Sequence, residues 1–260
     1  MLKLATVSYL NALPLIDGLE ADPDLAIARR VPSRLLETLE SGDADIALCP
    51  VIDFQRSSAP LRIVPAGAIG CDGPALTVKL FARTDIDRLD AIAVDRDSHT
   101  SVALLRIVMR QAYESNPTVL PLTTVDASEA VLLIGDKVIT AAPDPEAFPH
   151  QLDLGDAWRR LTGRPFVFAA WMTRADADLG DLPARLDRVR RSNRPRLCEI
   201  GRRYAESDGW PPDLAARYLS SNLRYDLGDR ELEAVEDFWR RCHEIGSIDE
   251  VRPMRLYRGA

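Results

Sequence analysis

The run Val7-Ser8-Tyr9-Leu10-Asn11-Ala12-Leu13-Pro14-Leu15 constrains this chain most, because two hydrophobic periods meet inside it. Leu2, Leu4, Ala5 and Val7 read as a short, mostly buried strand, and apolar residues resume at Leu13, Leu15, Ile16 and Leu19 at helical spacing. Ser8, Tyr9 and Asn11 stand between them, three polar side chains at a strand-to-helix junction. In an open α/β sheet the carboxyl ends of the strands form the ligand crevice. A helix N-terminus placed there offers unpaired N–H groups to an anion. Asn11 alone reads equally well as a helix cap, a role asparagine fills often.

The alternation continues. Leu25 to Val31 reads as a second strand, and Pro32-Ser33 opens a helix with Leu35, Leu36 and Leu39 on one face and Gly42 after its end. Residues 45–50 form a third, buried strand, so the sheet is expected to be parallel in part. Leu61 to Arg83 is Val-, Ile-, Thr- and Phe-rich without a helical period, and glycines at 67, 70 and 73 break it. It reads as extended chain, with a turn at Cys71-Asp72-Gly73-Pro74 and a strand over 77–81, able to cross between two lobes. A second α/β unit follows, with strands over 91–95, 118–122 and 131–135, a helix from Ser98 to Tyr113, and another over 155–161. The buried run 166–172 is placed to return to the first lobe. From Leu182 the chain reads as helical to its end, with prolines 183, 195, 211 and 212 opening helices. The expected architecture is α/β, two-lobed and hinged, with the ligand between the lobes. Lobe one takes residues 1–88, lobe two 89–173, and 174–260 return to lobe one as packed helices.

Composition narrows the function. A net charge of −7 argues against a nucleic-acid binder, and the arginine-rich stretch 185–196, with acidic neighbours and no interleaved aromatics, reads as a solvated face. The four cysteines are far apart without a C-x-x-C pair, and His99, His150 and His243 stand alone, so no metal site is expected. Ser8, Asn11 and Pro14 interrupt what would be a signal peptide's apolar region. No run reaches the ~18 apolar residues of a membrane span. A soluble, cytoplasmic protein without membrane insertion is expected. Phosphate-loop, dinucleotide, H-E-x-x-H and G-x-S-x-G motifs are all missing, so no cofactor is expected either.

What remains is a polar cluster in each lobe. Asp97-Ser98-His99-Thr100-Ser101 opens the Ser98 helix, with Ser98 as N-cap and Thr100 and Ser101 in the first turn, where the dipole favours a carboxylate or phosphate. Asp72, Asp95, Asp97 and Asp136 fall near strand ends, and each reads as a turn residue or as a base. Spacing alone reaches "a small anion between two lobes" and no further.

Several stretches, in order, resemble the chorismate dehydratases of menaquinone biosynthesis: Val7 through Leu15, Gly70-Cys71-Asp72-Gly73-Pro74, Ser98 to Leu104, Leu133-Ile134-Gly135-Asp136, Asp153-Leu154-Gly155, and Leu161 through Ala169. The match runs on to the helix start at Tyr225-Asp226-Leu227-Gly228. The resemblance implies a type II periplasmic-binding-protein-like fold used as a cytosolic, cofactor-free enzyme of the futalosine route. It implies removal of water from chorismate to give 3-[(1-carboxyvinyl)oxy]benzoate. By the same resemblance Asn11 and Thr77 are the candidate catalytic residues, Thr77 standing where the family usually has serine. Ser8, Tyr9, Cys71, Asp72, Ser98, Thr100, Ser101 and Asp136 are the candidate substrate-binding residues. The proton acceptor is either the substrate's own enolpyruvyl carboxylate or an aspartate, Asp72 or Asp136. Two other readings share the fold. One is a receptor for a small anionic solute, expected to carry an export signal. The other is the sister dihydroxynaphthoate synthase, expected to open on an S-P-C-P-N-D-type motif, where this chain has Ser8-Tyr9-Leu10-Asn11. The number of subunits is not readable from the sequence.

Overall fold

Leu4, Ala5 and Val7 are almost fully buried in the strand Leu2–Val7 (β1), the centre from which lobe one is built. The computed structural model describes residues 1–95, 97–125, 127–207 and 209–258. β1 pairs in parallel with Leu25–Arg30 (β2) on one side and Ile46–Pro50 (β3) on the other. The long strand Leu61–Cys71 (β4) joins the same sheet through Phe166–Arg174 (β10), which runs antiparallel to both β3 and β4. Leu223–Arg224 (β11) closes the edge, giving the order β11-β4-β10-β3-β1-β2.

The second sheet has the order β7-β6-β8-β5-β9. Ala91–Val94 (β6) lies parallel to Thr118–Pro121 (β7) and Ala130–Ile134 (β8). Val78–Ala82 (β5) pairs antiparallel with β8 and with His150–Asp153 (β9). The lobe boundaries expected at 88 and 173 therefore need correcting. β5 is a full member of the second sheet, and β10 is a central strand of the first. The crossings lie between Cys71 and Val78 and between the helix Leu154–Thr162 and β10. β5 is a short apolar run, and such a run does not announce which sheet it will pair with; β10 returns to lobe one as its buried run suggests, so only the boundary at 173 moves.

Other differences are local. The expected helix after Leu13 is a single turn, Leu13–Ile16, preceded by a 3-10 turn, Leu10–Ala12, and Tyr9 rather than Asn11 flanks it. Gly67 and Gly70 sit inside β4 instead of breaking it. A Cβ on Gly70 would lie 2.6 Å from the Phe166 carbonyl oxygen, so glycine is what lets β10 approach. β9 carries no apolar alternation to reveal it. Beyond the last helix, Asp229–Glu244, the chain is not helical: Tyr257 N–H donates to the Ile63 carbonyl beside β4.

The hinge is the most tightly determined part of the backbone. Leu76 has φ +67°, a left-handed conformation that costs a branched side chain roughly 1–2 kcal/mol. The Asp153 carboxylate holds it there by accepting the backbone N–H groups of Ala75 (2.9 Å) and Leu76 (2.7 Å). The same carboxylate caps the helix Leu154–Thr162, accepting from Gly155 N (2.9 Å) and Asp156 N (3.2 Å). Gly155 packs against the crossing so closely that a Cβ would lie 2.6 Å from Cys71 Sγ and from the Gly73 carbonyl oxygen. Replacing Asp153 by Ala removes the cap and frees two hinge N–H groups, and is expected to cost about 2 kcal/mol or more in urea unfolding. An unchanged midpoint would show that Leu76 needs no such restraint.

Candidate functional site

The carboxyl ends of β1, β3 and β8 converge on a cleft of about 540 Å³ between the lobes. Val7, Pro50 and Ile134 are the strand ends in its wall, and Ile69, Phe168, Ala169 and Leu223 make the rest mostly apolar. Among the described residues no charged side chain lines it. Tyr9, Asn11, Thr77, Ser98, Thr100 and Ser101 all line it, so one chamber gathers residues that are up to 92 positions apart in the chain. Ser8, Cys71, Asp72 and Asp136 are not in the lining. Ser8 is exposed beside β2, and its N–H donates to the Arg30 carbonyl. The Cys71 thiol is buried under the hinge, where burial raises its pKa far above the ordinary thiol range. Asp72 faces Arg159 (3.3 Å) and Arg230 (3.0 Å).

Asp136 does reach the first lobe, though not as part of the chamber wall. Its carboxylate accepts from Leu10 N (3.3 Å) and from the Trp210 indole N–H (3.0 Å), tying the end of β8 to the opening motif and the C-terminal helices. Asp95 and Asp97, two more candidate bases, both bind the Lys137 ammonium, at 2.6 and 3.0 Å. Burial pulls the Lys137 pKa down, but those two bonds outweigh it and hold the ammonium above its usual range.

The lobe-two wall forms as the sequence suggests. Ser98 is the N-cap of the helix His99–Ala112, its Oγ accepting from Ser101 N at 3.2 Å. Thr100 and Ser101 then lie in the first turn, where backbone N–H groups have no partner within the helix. Thr100 Oγ1 also accepts the Ile52 N–H across the cleft (3.4 Å). On the lobe-one side Asn11 sits in the 3-10 turn and caps no helix, and its Oδ1 is buried without a hydrogen-bond partner among the described residues. The Tyr9 hydroxyl is in the same position. Burial pushes the Tyr9 pKa up to about 12, against the pull of Lys137 and with Asp95, Asp97 and Asp136 adding to the rise, so it stays a neutral donor at ordinary pH. Two buried, unpartnered polar atoms in one apolar chamber are costly unless a ligand satisfies them.

Sequence reasoning missed two features. His99 is not isolated: its Nδ1 lies 2.8 Å from Asp53 Oδ1, joining the first turn of the lobe-two helix to a fully buried carboxylate behind β3. Tyr218 lines the cleft from a π-helical turn, Tyr218–Asn222, with its hydroxyl 2.7 Å from Thr77 Oγ1. Neither pairing has a local sequence signal, since 46 and 141 positions separate the partners. Gly135, read as the end of the strand over 131–135, lies just past β8 and has a steric reason to be glycine. It has φ +59°, and a Cβ there would lie 2.8 Å from the Tyr9 ring. The lobes close over that contact.

The comparisons with known proteins agree with this geometry. The sequence model of a family described as menaquinone biosynthesis matches residues 2–244. The chain belongs to that family. It is 30% identical over 250 residues to the chorismate dehydratase of Thermus thermophilus, covering 88% of this chain and 91% of that one. Among solved structures, protein AF1704 of Archaeoglobus fulgidus superimposes with a TM-score of 0.73 at 17% identity, covering 95% of this chain and 98% of that one. The periplasmic aliphatic sulphonate binding protein SsuA of Escherichia coli follows at 0.63 and 16%, covering 96% and 94%. At such identities these two show the fold alone, and it is the periplasmic-binding-protein fold. Among the described residues no group of three or more His, Cys, Asp or Glu side chains could hold a metal ion, and no helix is long and apolar enough to cross a membrane.

The His99–Asp53 contact gives this member of the family a testable latch. His99→Ala leaves a fully buried carboxylate without its partner and should cost about 1–3 kcal/mol of stability. The closed form should also lose population, read as a larger radius of gyration in small-angle scattering. If neither thermal melt nor scattering changes, the contact does not hold the lobes together.

Proposed function

We propose that this protein is a chorismate dehydratase, a hydro-lyase that eliminates water from chorismate to give 3-[(1-carboxyvinyl)oxy]benzoate at the entry to the futalosine route to menaquinone, acting in the cytoplasm. The observation that carries the reading is the presence of Asn11 and Thr77 in the same cleft as the Ser98-Thr100-Ser101 helix start. It stands in a chain 30% identical to a chorismate dehydratase.

The chemistry asks for little machinery. The C–H bond on the ring carbon bearing the enolpyruvyl ether breaks, and its electron pair becomes a ring double bond. The neighbouring C–O bond breaks with it and the hydroxyl leaves. The ring becomes aromatic, and that supplies the driving force. The protein has to orient a dicarboxylate, exclude water and give the leaving hydroxyl a hydrogen bond. In this reading the helix start receives one carboxylate through the Thr100 N–H and the Thr100 and Ser101 hydroxyls, the Ser101 N–H being held by Ser98 Oγ. Asn11, Tyr9 and Thr77 face the other end of the molecule.

The proton acceptor we assign is the substrate's enolpyruvyl carboxylate. Supporting this, the aspartates near the cleft are engaged elsewhere: Asp72 with two arginines, Asp136 with two N–H donors, Asp95 and Asp97 with Lys137. With the ring proton on that carboxylate and the hydroxide leaving beside it, one proton transfer within the substrate releases water.

Purified protein mixed with chorismate should produce the aromatic product, followed by its ultraviolet absorbance, and should do so equally after treatment with a metal chelator. Tight binding of chorismate without product would make the protein a receptor and sink the dehydratase reading. Within the cleft, charge should matter more than contact. Asn11→Ala removes one neutral hydrogen bond, about 0.5–1.5 kcal/mol, whereas Asn11→Asp sets a carboxylate against a dianion in an apolar chamber, where repulsion reaches several kcal/mol. Single-turnover rates at saturating chorismate should therefore rank wild type above Ala above Asp. The reverse order for the two variants would mean that residue 11 acts as a base.

A further inference from the structure

Tyr218 is buried, carries no charge and belongs to none of the stretches that the sequence singles out. Its hydroxyl and its ring are nevertheless both held. The hydroxyl is 2.7 Å from Thr77 Oγ1. The Asn11 side chain lies close enough to act on the same hydroxyl. Asn11 Oδ1 has no partner among the described residues, so the Asn11 NH₂ is the group placed to donate to it. The ring of Tyr218 is stacked on Trp210, with centroids 4.9 Å apart and planes 16° from parallel. Trp210 in turn donates its indole N–H to Asp136, on the other lobe. The π-helical turn that begins at Tyr218 is the kind of irregularity found most often at functional sites.

The order of donors follows from this arrangement. With the Asn11 NH₂ as donor to the Tyr218 oxygen, the phenolic proton is the one left to point at Thr77 Oγ1. Thr77 then accepts from Tyr218, and its own proton is free to face the cleft. A threonine hydroxyl without that partner rotates among several orientations, and only some present a donor to a departing hydroxyl.

We infer that Tyr218 is a positioning residue for the dehydration, fixing the Thr77 proton toward the cleft, and that the Trp210–Asp136 contact makes this orientation depend on lobe closure. The inference rests on the dehydratase reading for its rate measurement and on geometry alone for the rest. It concerns hydrogen-bond orientation, and no proton leaves Tyr218.

The test is a double-mutant cycle with a structural arm. Tyr218→Phe keeps the ring and its stacking on Trp210 but loses the hydroxyl. Its kcat should fall about tenfold while KM for chorismate stays within twofold, with an unchanged thermal melt. Thr77→Val should lose more, and adding Tyr218→Phe to it should lower kcat no further, because the pathway through Thr77 is already gone. A folded Tyr218→Phe with kcat within twofold of wild type overturns the inference, as does a loss that multiplies onto Thr77→Val. If Tyr218→Phe does not fold, Trp210→Phe carries the test. It keeps an aromatic ring against Tyr218 and loses only the indole N–H, so kcat should drop about threefold at constant KM. An unchanged kcat there counts against the inference. A wild-type protein inert toward chorismate sinks the dehydratase reading alone. The Tyr218 assignment is then judged from crystals of wild type and Tyr218→Phe, where the Thr77 side chain should go from one rotamer to several. One unchanged rotamer overturns it.

Discussion

One carboxylate, that of Asp153, fixes the geometry on which the cleft depends. It accepts four backbone N–H groups, two from the hinge and two from the start of the helix Leu154–Thr162. A helix cap alone would use one or two of these. The other two hold Leu76 in a left-handed conformation, and the next residue is Thr77, whose carbonyl accepts from Gly135 N and whose hydroxyl faces Tyr218. Strain stored at a functional turn persists only where its surroundings over-determine it. Here a single side chain sets the entry into lobe two and the direction of a cleft hydroxyl together.

The cleft is complete only with the lobes together. Ile52 N to Thr100 Oγ1, His99 to Asp53, Leu10 N and Trp210 to Asp136, and the Tyr9 ring over Gly135 are all contacts between lobes. They ring the chamber on several sides. Each is modest alone, on the order of 0.5–3 kcal/mol, so their sum can be matched by the hydration regained on opening. That balance suits a hinged fold, in which a ligand shifts the population toward closure by the contacts it adds in the closed state. The C-terminal helix contributes at a distance: Trp239 donates its indole N–H to the Val51 carbonyl and stacks on Phe54, holding the turn that presents Ile52 and Asp53.

Much of this was legible in the sequence, and the boundary of legibility is physical. Strand-to-helix junctions have a local signal, a change of hydrophobic period with polar residues between, and so Asn11, Ser98, Thr100 and Ser101 could be found without a structure. The cap at Ser98 was readable for the same reason. Pairing between distant segments has no such signal. The sheet membership of β5, the His99–Asp53 contact and the place of Tyr218 depend on how the lobes fold back on each other, and no window of sequence contains both partners. The aspartates near strand ends show the converse. Residue type and position made Asp72, Asp95, Asp97 and Asp136 equal candidates, and only their partners tell them apart: arginines for Asp72, Lys137 for the next two, and N–H donors of the opposite lobe for Asp136.

A cleft with no charged side chain among its described lining residues, in a chain of net charge −7, looks ill suited to a dicarboxylate. At physiological ionic strength, however, charges separated by more than roughly 8 Å are largely screened, so the overall balance counts for less than the donors within reach. In the proposed reaction substrate and product carry the same two carboxylates. An arginine clamped on each would bind both equally, lowering KM without raising kcat and slowing product release. Neutral hydroxyls, amides and helix-start N–H groups bind the anion more weakly, and leave room for interactions that strengthen only as the ring hydroxyl departs. The hydroxyls of Thr77 and Tyr218, 2.7 Å apart in the cleft, are of that kind. On this view neutral donors in the lining help a binding-protein fold to release what it has made.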